Sequence, residues 1–179
     1  LVTYRAQSLN RSFTNVRAVM DNIVEKTKEG HLIVLTKHKH VKELIANMRA
    51  IDKLEVSCFG YTPSKAAEIS VAESDVVFTV LSNTGKVMAI FGAGVRDEAY
   101  IWLLGTDELE RNPKPFLRHC RKWVNSLVEM YGSVSNVIHA DNLICLRWLQ
   151  WCGAELSDPV KIQGELLRKF NITVDNNNV

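Results

Sequence analysis

The amino-acid sequence predicts a mixed α/β domain in which one central sheet carries helices on both faces. The 179 residues are 46% hydrophobic and 23% charged, with a formal net charge of +2, and this composition is typical of a globular domain. The spacing of the apolar residues changes from a helical period to a strand period and back again, with no internal repeat. No apolar run reaches the roughly 18–20 residues of a membrane-spanning helix. The nearly balanced charge also argues against a protein that simply coats nucleic acid.

The first half of the chain favours helices. Gly30 ends the first predicted helix, and a polar turn leads from the following strand into the second. The third helix begins at Thr62 and Pro63, because Thr is a good N-cap and Pro fits the first helical position. The predicted elements are a helix over 15–29, a strand over 31–36, a helix over 41–48 and a helix over 62–73.

The second half opens with a three-strand meander, in which Gly92 and Gly94 indicate a bulge or a close backbone approach. Pro113 fits only at the very start of the long helix that follows, and Gly153 suits a left-handed helix C-cap. The predicted elements are strands over 75–82, 86–95 and 99–104, a helix over 113–131, a strand over 134–139, a helix over 142–151, and extended pieces over 154–157 and 166–174.

These elements predict a helical extension over residues 1–30, one domain over 31–174 and a disordered tail over 175–179. The apolar stripe of the extension must be covered, either by its own domain, by a second copy in a homodimer, or by another protein. No basic-then-apolar leader opens the chain, and the four cysteines show no paired spacing. We therefore expect a cytoplasmic protein with free thiols and no metal site.

The end of the predicted strand over 134–139 and the helix over 142–151 carry a family resemblance. This segment reads His139-Ala-Asp-Asn142-Leu-Ile-Cys145, and a Gly at position 153 closes the helix that Asn142 opens. This spacing, together with the order of elements from His31 onward, resembles the acyl-CoA N-acyltransferases of the GNAT superfamily. The resemblance implies a GNAT-like fold with an extra N-terminal helix, acetyl-CoA as cofactor, and a place for Asn142 near its pantetheine arm.

A narrower resemblance covers about residues 75–172. The segments that carry it are Tyr100-Ile-Trp-Leu-Leu-Gly-Thr-Asp-Glu-Leu, Tyr131-Gly132, Arg147-Trp148-Leu149 and Gly164-Glu165-Leu-Leu-Arg168-Lys-Phe170. They look like the small GNAT-like proteins of tailed phages, which are acetyltransferases or internal virion-associated proteins. This resemblance implies a location in the host cytoplasm or in a virion.

Two departures from the GNAT pattern weaken the transfer of chemistry. GNAT enzymes usually hold the CoA diphosphate with backbone N–H groups of a Q/R-x-x-G-x-G/A loop at a helix N-terminus. The corresponding stretch here, residues 110–118, has two prolines and no glycine. Many GNAT enzymes also place a tyrosine as general acid seven residues after the Asn. This chain has Leu149 there, which has no proton to donate.

The candidate site residues follow from the resemblance together with residue chemistry. Backbone N–H groups around Leu103 and Leu104 would polarise the thioester carbonyl, and Arg118 and Arg121 would hold the diphosphate in place of the missing glycines. Candidates for the base are Asp107 and Glu108 just past the meander, and His139 beside Asn142. Each group also has a purely structural interpretation. The arginines would form a solvated basic face, the acids would stabilise a helix N-terminus, and His139 would be a hydrogen-bonded core histidine.

Three functional interpretations remain open. The first is an acetyl-CoA-dependent N-acetyltransferase that acts on an unknown amine. The second is a catalytically inactive GNAT scaffold that binds a virion or host protein, and the missing glycine loop and tyrosine favour it. A third interpretation, contact with nucleic acid through Arg118, Arg121 and Lys122, predicts a steep salt dependence of binding.

Overall fold

The computed structural model describes residues 25–28, 30–111 and 113–173, with side chains from 121 onward on the longest helix. Six helices lie in this part of the chain: α1 (His38–Asn47), α2 (Ala50–Ser57), α3 (Pro63–Ala72), α4 (Asp107–Arg111), α5 (Pro113–Tyr131) and α6 (Leu143–Trp151). The strands are β1 (Glu25–Lys26), β2 (Leu32–Leu35), β3 (Val76–Leu81), β4 (Val87–Val95), β5 (Ala99–Gly105), β6 (Ser133–His139), β7 (Glu155–Leu156), β8 (Val160–Ile162) and β9 (Glu165–Thr173).

All of these strands join one sheet in the order β1-β2-β3-β4-β5-β6-β9-β7, with β8 also paired to β9. Every pairing is antiparallel except that of β5 with β6, which run parallel. Ten residues or more usually separate parallel neighbours, and here α4 and α5 make that crossover. The parallel pair has a single register contact, Tyr100 opposite Ser135. Beyond it the two strands diverge, which opens a gap in the middle of the sheet.

Helices cover both faces of the sheet, which confirms the predicted mixed α/β architecture. On one face, side chains of α1 and α3 such as Leu44 and Ala67 pack against Ile90 and Leu104 of the sheet. On the other face, α5 and α6 pack against β6 and β9 through side chains that include Val124 and Leu149. Among the described residues, none of the helices has both the length and the apolar character that a bilayer crossing requires.

The predicted meander, long helix and final helix are confirmed, and several local signals act as expected. The Thr62 side chain accepts a hydrogen bond from Lys65 N at 3.2 Å, which caps α3. Gly92 marks a close approach, because a Cβ on it would lie 2.8 Å from Nε1 of Trp102, which crosses β4 from β5. The shift in register lies elsewhere, between Val80 and Leu81.

The prediction that the first helix continues to residue 29 is wrong. Glu25 and Lys26 form strand β1 and pair with Ile33 and Leu32 of β2. The chain reverses through a turn in which Gly30 has a φ of +86°. Edge pairing satisfies backbone groups that a frayed last helical turn would leave open, so the tertiary contact overrides the apolar spacing. The rest of that predicted helix and the predicted tail over 175–179 lie outside the described residues.

Three short elements are missing from the sequence prediction: α2, α4 and β8. Helix α2 has no apolar stripe, because the side chain that it buries most completely is a charged one, Asp52. Helix α4 has five residues and β8 has three, which is too short for a periodic pattern to show. Of these three, α2 matters most for the site.

Candidate active site

The gap between β5 and β6 exposes one backbone position of β5. Ile101 O accepts a hydrogen bond from Asn136 Nδ2 at 2.7 Å, and Gly105 N donates to Asp52 at 2.6 Å, so both residues point their backbone groups away from β4. Backbone direction alternates along a strand, and Leu103 therefore points its N–H and C=O into the gap as well. Leu104 points towards β4, as does Thr106, whose N–H donates to Met88 O at 2.8 Å. Of the two predicted positions, Leu103 alone offers its N–H to the gap.

A cavity of about 490 Å³ passes through this gap. Its lining includes Trp102 and Leu104, which point to the α1–α3 face, and Leu103 and Trp123 on the α5–α6 face. Side chains from both faces of the sheet thus surround the Leu103 N–H. Two ligands that enter from opposite faces could therefore meet at this one donor.

At the Gly105 end, the gap is closed by a buried ion pair. Arg49 is 1% exposed and Asp52 is 0% exposed, and the Arg49 Nε and one terminal nitrogen donate to the two Asp52 oxygens at 2.9 and 2.6 Å. Burial disfavours the guanidinium cation, but the Asp52 carboxylate outweighs this effect and raises the pKa of Arg49. We call Arg49, Asp52 and Gly105 the clamp, since Arg49 N also donates to Gly105 O at 3.0 Å.

Glycine is needed at position 105 for this contact. A Cβ on Gly105 would lie 2.7 Å from Arg49 Nε and 2.9 Å from a methyl carbon of Leu109. The clamp neutralises its own charge and fixes the start of α2 to the end of β5. It therefore adds little net charge to the cavity that it borders.

One turn further along α2, Glu55 joins the helix to the end of β6. Its Oε1 accepts hydrogen bonds from His139 N and Asn142 Nδ2, each at 2.9 Å. Its Oε2 has no hydrogen-bond partner among the described residues. Burial raises the pKa of Glu55 despite these two donors. Glu55 is the one carboxylate among the described residues that line the cavity.

The surface around Glu55 is apolar. We define the cavity mouth as Glu55, Phe59, Tyr61 and Ile144, all of which line the cavity. Phe59, Tyr61 and Ile144 are 48%, 44% and 47% exposed, although side chains of these types are usually buried. The mouth thus combines one carboxylate with three solvent-facing hydrophobic or aromatic groups.

Asn142 lines the cavity, whereas His139 does not. The His139 ring is buried, with Nε2 at 3.1 Å from a Glu165 oxygen, and its Nδ1 accepts a hydrogen bond from Asp141 N at 3.1 Å. Because Nδ1 accepts from Asp141 N, Nε2 is the ring nitrogen placed to donate to Glu165. This arrangement matches the core-histidine alternative.

Asp107 and Glu108 lie on α4, and neither lines the cavity. Asp107 is exposed, and Glu108 forms an ion pair with Arg111 at 3.3 Å. The residue of α4 that reaches the cavity is Leu109. The structure therefore does not bring the two predicted acids together with Leu103 and Asn142 at the cavity.

The described cations of the predicted basic face contact different elements. The Arg121 guanidinium lies 4.9 Å from the centre of the Trp151 ring on α6, and Lys122 Nζ lies 3.9 Å from an oxygen of Glu25 on β1. The Arg118 side chain lies outside the described part of the chain. Cys145, which also lines the cavity, has its pKa raised by burial, so its thiol stays protonated at neutral pH.

Arg49, Asp52 and Glu55 are the site residues that sequence reasoning missed. Charges three residues apart on a helix ordinarily indicate a solvated ion pair. The one available signal is that their stretch lacks an apolar stripe although it lies between two helices that have one.

Comparison with known proteins supports the fold. A scan against protein-family models and a search of curated proteins found no match to the sequence. Solved structures do match, among them a GNAT-family acetyltransferase from Bacillus anthracis, with a TM-score of 0.60, 9% identity, and coverage of 83% of this chain and 96% of that one.

Two further matches are similar in extent. A GCN5-related N-acetyltransferase from Kribbella flavida has a TM-score of 0.60 and 11% identity, over 80% of this chain and 98% of that one. The ribosomal-protein-S18-alanine N-acetyltransferase from Escherichia coli has a TM-score of 0.58 and 14% identity, over 83% and 98%. At such identities the likeness defines the fold alone: this chain has the GNAT acyl-CoA N-acyltransferase fold.

Proposed function

We propose that this protein is an acyl-CoA-dependent N-acyltransferase that uses acetyl-CoA as its donor. The observation that carries the proposal is the cavity through the sheet, with the Leu103 N–H directed into it. Transfer from a thioester to an amine needs both reactants at one point and a donor for the oxygen that becomes negative. The gap meets both requirements within walls that are largely apolar.

Leu103 and Asn142 have separate roles in this proposal. The Leu103 N–H donates to the thioester carbonyl oxygen and stabilises the oxyanion that forms when the amine attacks. Asn142 uses its side-chain N–H on Glu55, and its Oδ1 has no hydrogen-bond partner among the described residues. This oxygen is thus available to accept an amide N–H of the pantetheine arm.

The competing function is a scaffold that binds without catalysis, with a virion or host protein as its partner. The absence of glycine between Glu110 and Arg118 favours it, as does Leu149, which is buried in the core and cannot protonate a leaving thiolate. The likeness to phage proteins, and a location in the host cytoplasm or a virion, remain predictions that accompany both functions.

Binding and turnover of acetyl-CoA decide between the two functions. We expect acetyl-CoA to raise the melting temperature, because a ligand that binds the native state stabilises it, and we expect CoA release in the presence of an amine. Cys145→Phe, which places a ring in the cavity, should abolish both effects, and Cys145→Ser is the size-matched control. No binding by the folded wild-type protein at millimolar acetyl-CoA would leave only the scaffold.

The role of Arg121 is a separate part of this proposal. Removing a side chain that contacts the diphosphate should weaken acetyl-CoA binding about five- to tenfold, the equivalent of about 1–1.4 kcal/mol. Calorimetry should show this loss for Arg121→Ala with acetyl-CoA but not with S-acetylpantetheine, which has no diphosphate. Lys122→Ala, whose cation faces Glu25, is the control on the same helix. An equal loss of affinity for both ligands would show that Arg121 does not contact the diphosphate.

A further inference from the structure

We propose that the acceptor is a monoamine whose single ammonium group is carried on an apolar or aromatic body, and that Glu55 binds this ammonium and receives its proton. The inference rests on the proposed function and names the substrate class of the same cavity. It also assigns the base to a residue of α2 that the sequence did not indicate.

In the described part of the chain, Glu55 is the charged group at the cavity that is left to act on a ligand. Arg49 is neutralised by Asp52 within the clamp, and Arg96, at the cavity wall, forms an ion pair with Glu73. Both groups bound to Glu55 Oε1 are neutral N–H donors, and the Arg49 cation that acts on Glu55 is already paired with Asp52. A carboxylate in this position is stabilised by an incoming cation and repels an anion.

The apolar side chains of the cavity mouth favour an apolar body on the acceptor. Phe59, Tyr61 and Ile144 line the same cavity as Glu55 and are about half exposed. Apolar area that a ligand covers contributes roughly 25 cal/mol per Å². A polyamine would bring its second charge against this apolar rim, where no second carboxylate lines the described cavity. An amino acid would bring its own carboxylate towards Glu55.

The hydrogen bonds of Glu55 make the proton transfer feasible. Oε1 is held by His139 N and Asn142 Nδ2, which fixes the carboxyl group in place, while Oε2 is left without a partner among the described residues. The raised pKa of Glu55 brings its basicity closer to neutral pH than that of an exposed glutamate. The same residue can thus orient an ammonium ion and accept a proton from it.

The reaction balances as follows. Oε2 of Glu55 takes one proton from the bound ammonium, which frees the nitrogen lone pair. The nitrogen forms a C–N bond with the thioester carbonyl carbon, the oxyanion accepts the Leu103 N–H, and collapse of the intermediate breaks the C–S bond. The departing thiolate takes a second proton from nitrogen and leaves as the thiol. Glu55 then releases the first proton to solvent.

The test compares acceptors and a charge-removing variant. For the wild-type protein with acetyl-CoA, we expect kcat/KM for 2-phenylethylamine to exceed that for spermidine and for phenylalanine by at least about tenfold. Glu55→Gln keeps an oxygen that can accept from His139 N and Asn142 Nδ2, so the fold should be retained. It should lower kcat/KM for 2-phenylethylamine by about 100-fold, within the range of general base catalysis. Glu129→Gln, at an exposed position of α5, is the control for the same change of charge.

Direct binding without a donor separates this inference from the proposed function. Calorimetry should show that Glu55→Gln weakens binding of 2-phenylethylammonium about tenfold or more, and leaves binding of the neutral 2-phenylethanol unchanged. A preference for spermidine, or equal ammonium binding by both proteins, would overturn the inference even if acetyl-CoA binds and is turned over. Failure of acetyl-CoA to bind would overturn the proposed function, and the amine site would then stand or fall on these two binding ratios.

Discussion

The clamp and the cavity mouth place two acids of one short helix in opposite situations. Asp52 and Glu55 are three residues apart on α2. Asp52 accepts a hydrogen bond from Gly105 N of β5, and Glu55 accepts one from His139 N of β6, on the other side of the gap. Asp52 has a bidentate arginine and a backbone N–H as donors, and its side chain is completely buried. Glu55 has two neutral donors on one oxygen and faces the cavity with the other.

This difference separates a structural charge from one that is available for chemistry. A buried ion pair neutralises its own charge, and breaking it is costly because the partner that is left remains buried. A carboxylate with one open oxygen has a raised pKa and a space beside it, which is the pattern found at catalytic acids and bases. Helix α2 therefore closes the Gly105 end of the gap with Asp52 and lines the cavity with Glu55.

The largest effect should come from breaking the clamp. Asp52→Asn leaves the Arg49 guanidinium buried without its counterion, and should lower the free energy of unfolding by about 3–5 kcal/mol. Urea denaturation of the variant and the wild type measures this loss. Lys169→Met removes an exposed pair with Glu98, which lies at 2.9 Å, and should cost far less, because water screens an exposed ion pair. A similar small cost for both variants would show that the clamp is not a structural element.

Crowding the clamp from the strand side should have an intermediate effect. Gly105→Ala places a Cβ within 2.7 Å of Arg49 Nε, and overpacking of this kind costs about 1–3 kcal/mol. Combined with Asp52→Asn, the loss should be smaller than the sum of the two single losses, because both changes act on the position of Arg49. Strict additivity in urea denaturation would contradict the assignment of Gly105 to the clamp.

The smallest effect on stability should come from the mouth, and it should depend on pH. Because the pKa of Glu55 is raised in the folded state, its ionised form destabilises the fold at neutral pH, and this penalty disappears as pH falls below 4.5, its ordinary pKa. Glu55→Gln should therefore be more stable than the wild type near pH 7, by a few tenths to about 1 kcal/mol. The difference should vanish in acid.

Thermal unfolding of both proteins between about pH 8 and about pH 4 measures this dependence. The other titrating groups are common to both proteins, so the difference isolates Glu55. A stability advantage of the wild type that grows with pH would mean that the carboxylate is stabilised in the fold, which is the situation expected for a paired structural acid.

Most of the fold was predictable because its elements have clear periods or caps. Strands β3–β5 alternate or run apolar between turn residues, α3 begins at a Thr-Pro cap, and the segment from Asn142 to Gly153 carries the family spacing. Strand β1 was not predictable, since the pairing of Glu25 with Ile33 at a sheet edge decides its form. Helix α2 was missed because it buries charges in place of an apolar stripe.

The candidate site was predictable only in part. The strand that splays was found from the resemblance, but backbone direction at Leu103 and Leu104 depends on the register of β5 against β4. The clamp links Asp52 to Gly105, 53 residues apart, and Glu55 bonds to Asn142 over 87 residues. Such contacts follow from where the helical connection between β2 and β3 places α2, which local sequence does not encode. Asp107 and Glu108 of α4 were predicted as bases because they directly follow β5, the strand that borders the gap.

The central claim is that acetyl-CoA binds in the gap and that its carbonyl accepts the Leu103 N–H. Amide chemical shifts of this 20.2 kDa protein during a titration with acetyl-CoA test it most directly, and the neighbouring Leu104 amide, which faces β4, is an internal control. We expect a large, saturable chemical-shift change at the Leu103 amide and a much smaller change at the Leu104 amide. Saturable shifts elsewhere in the protein with no change at Leu103 would contradict it.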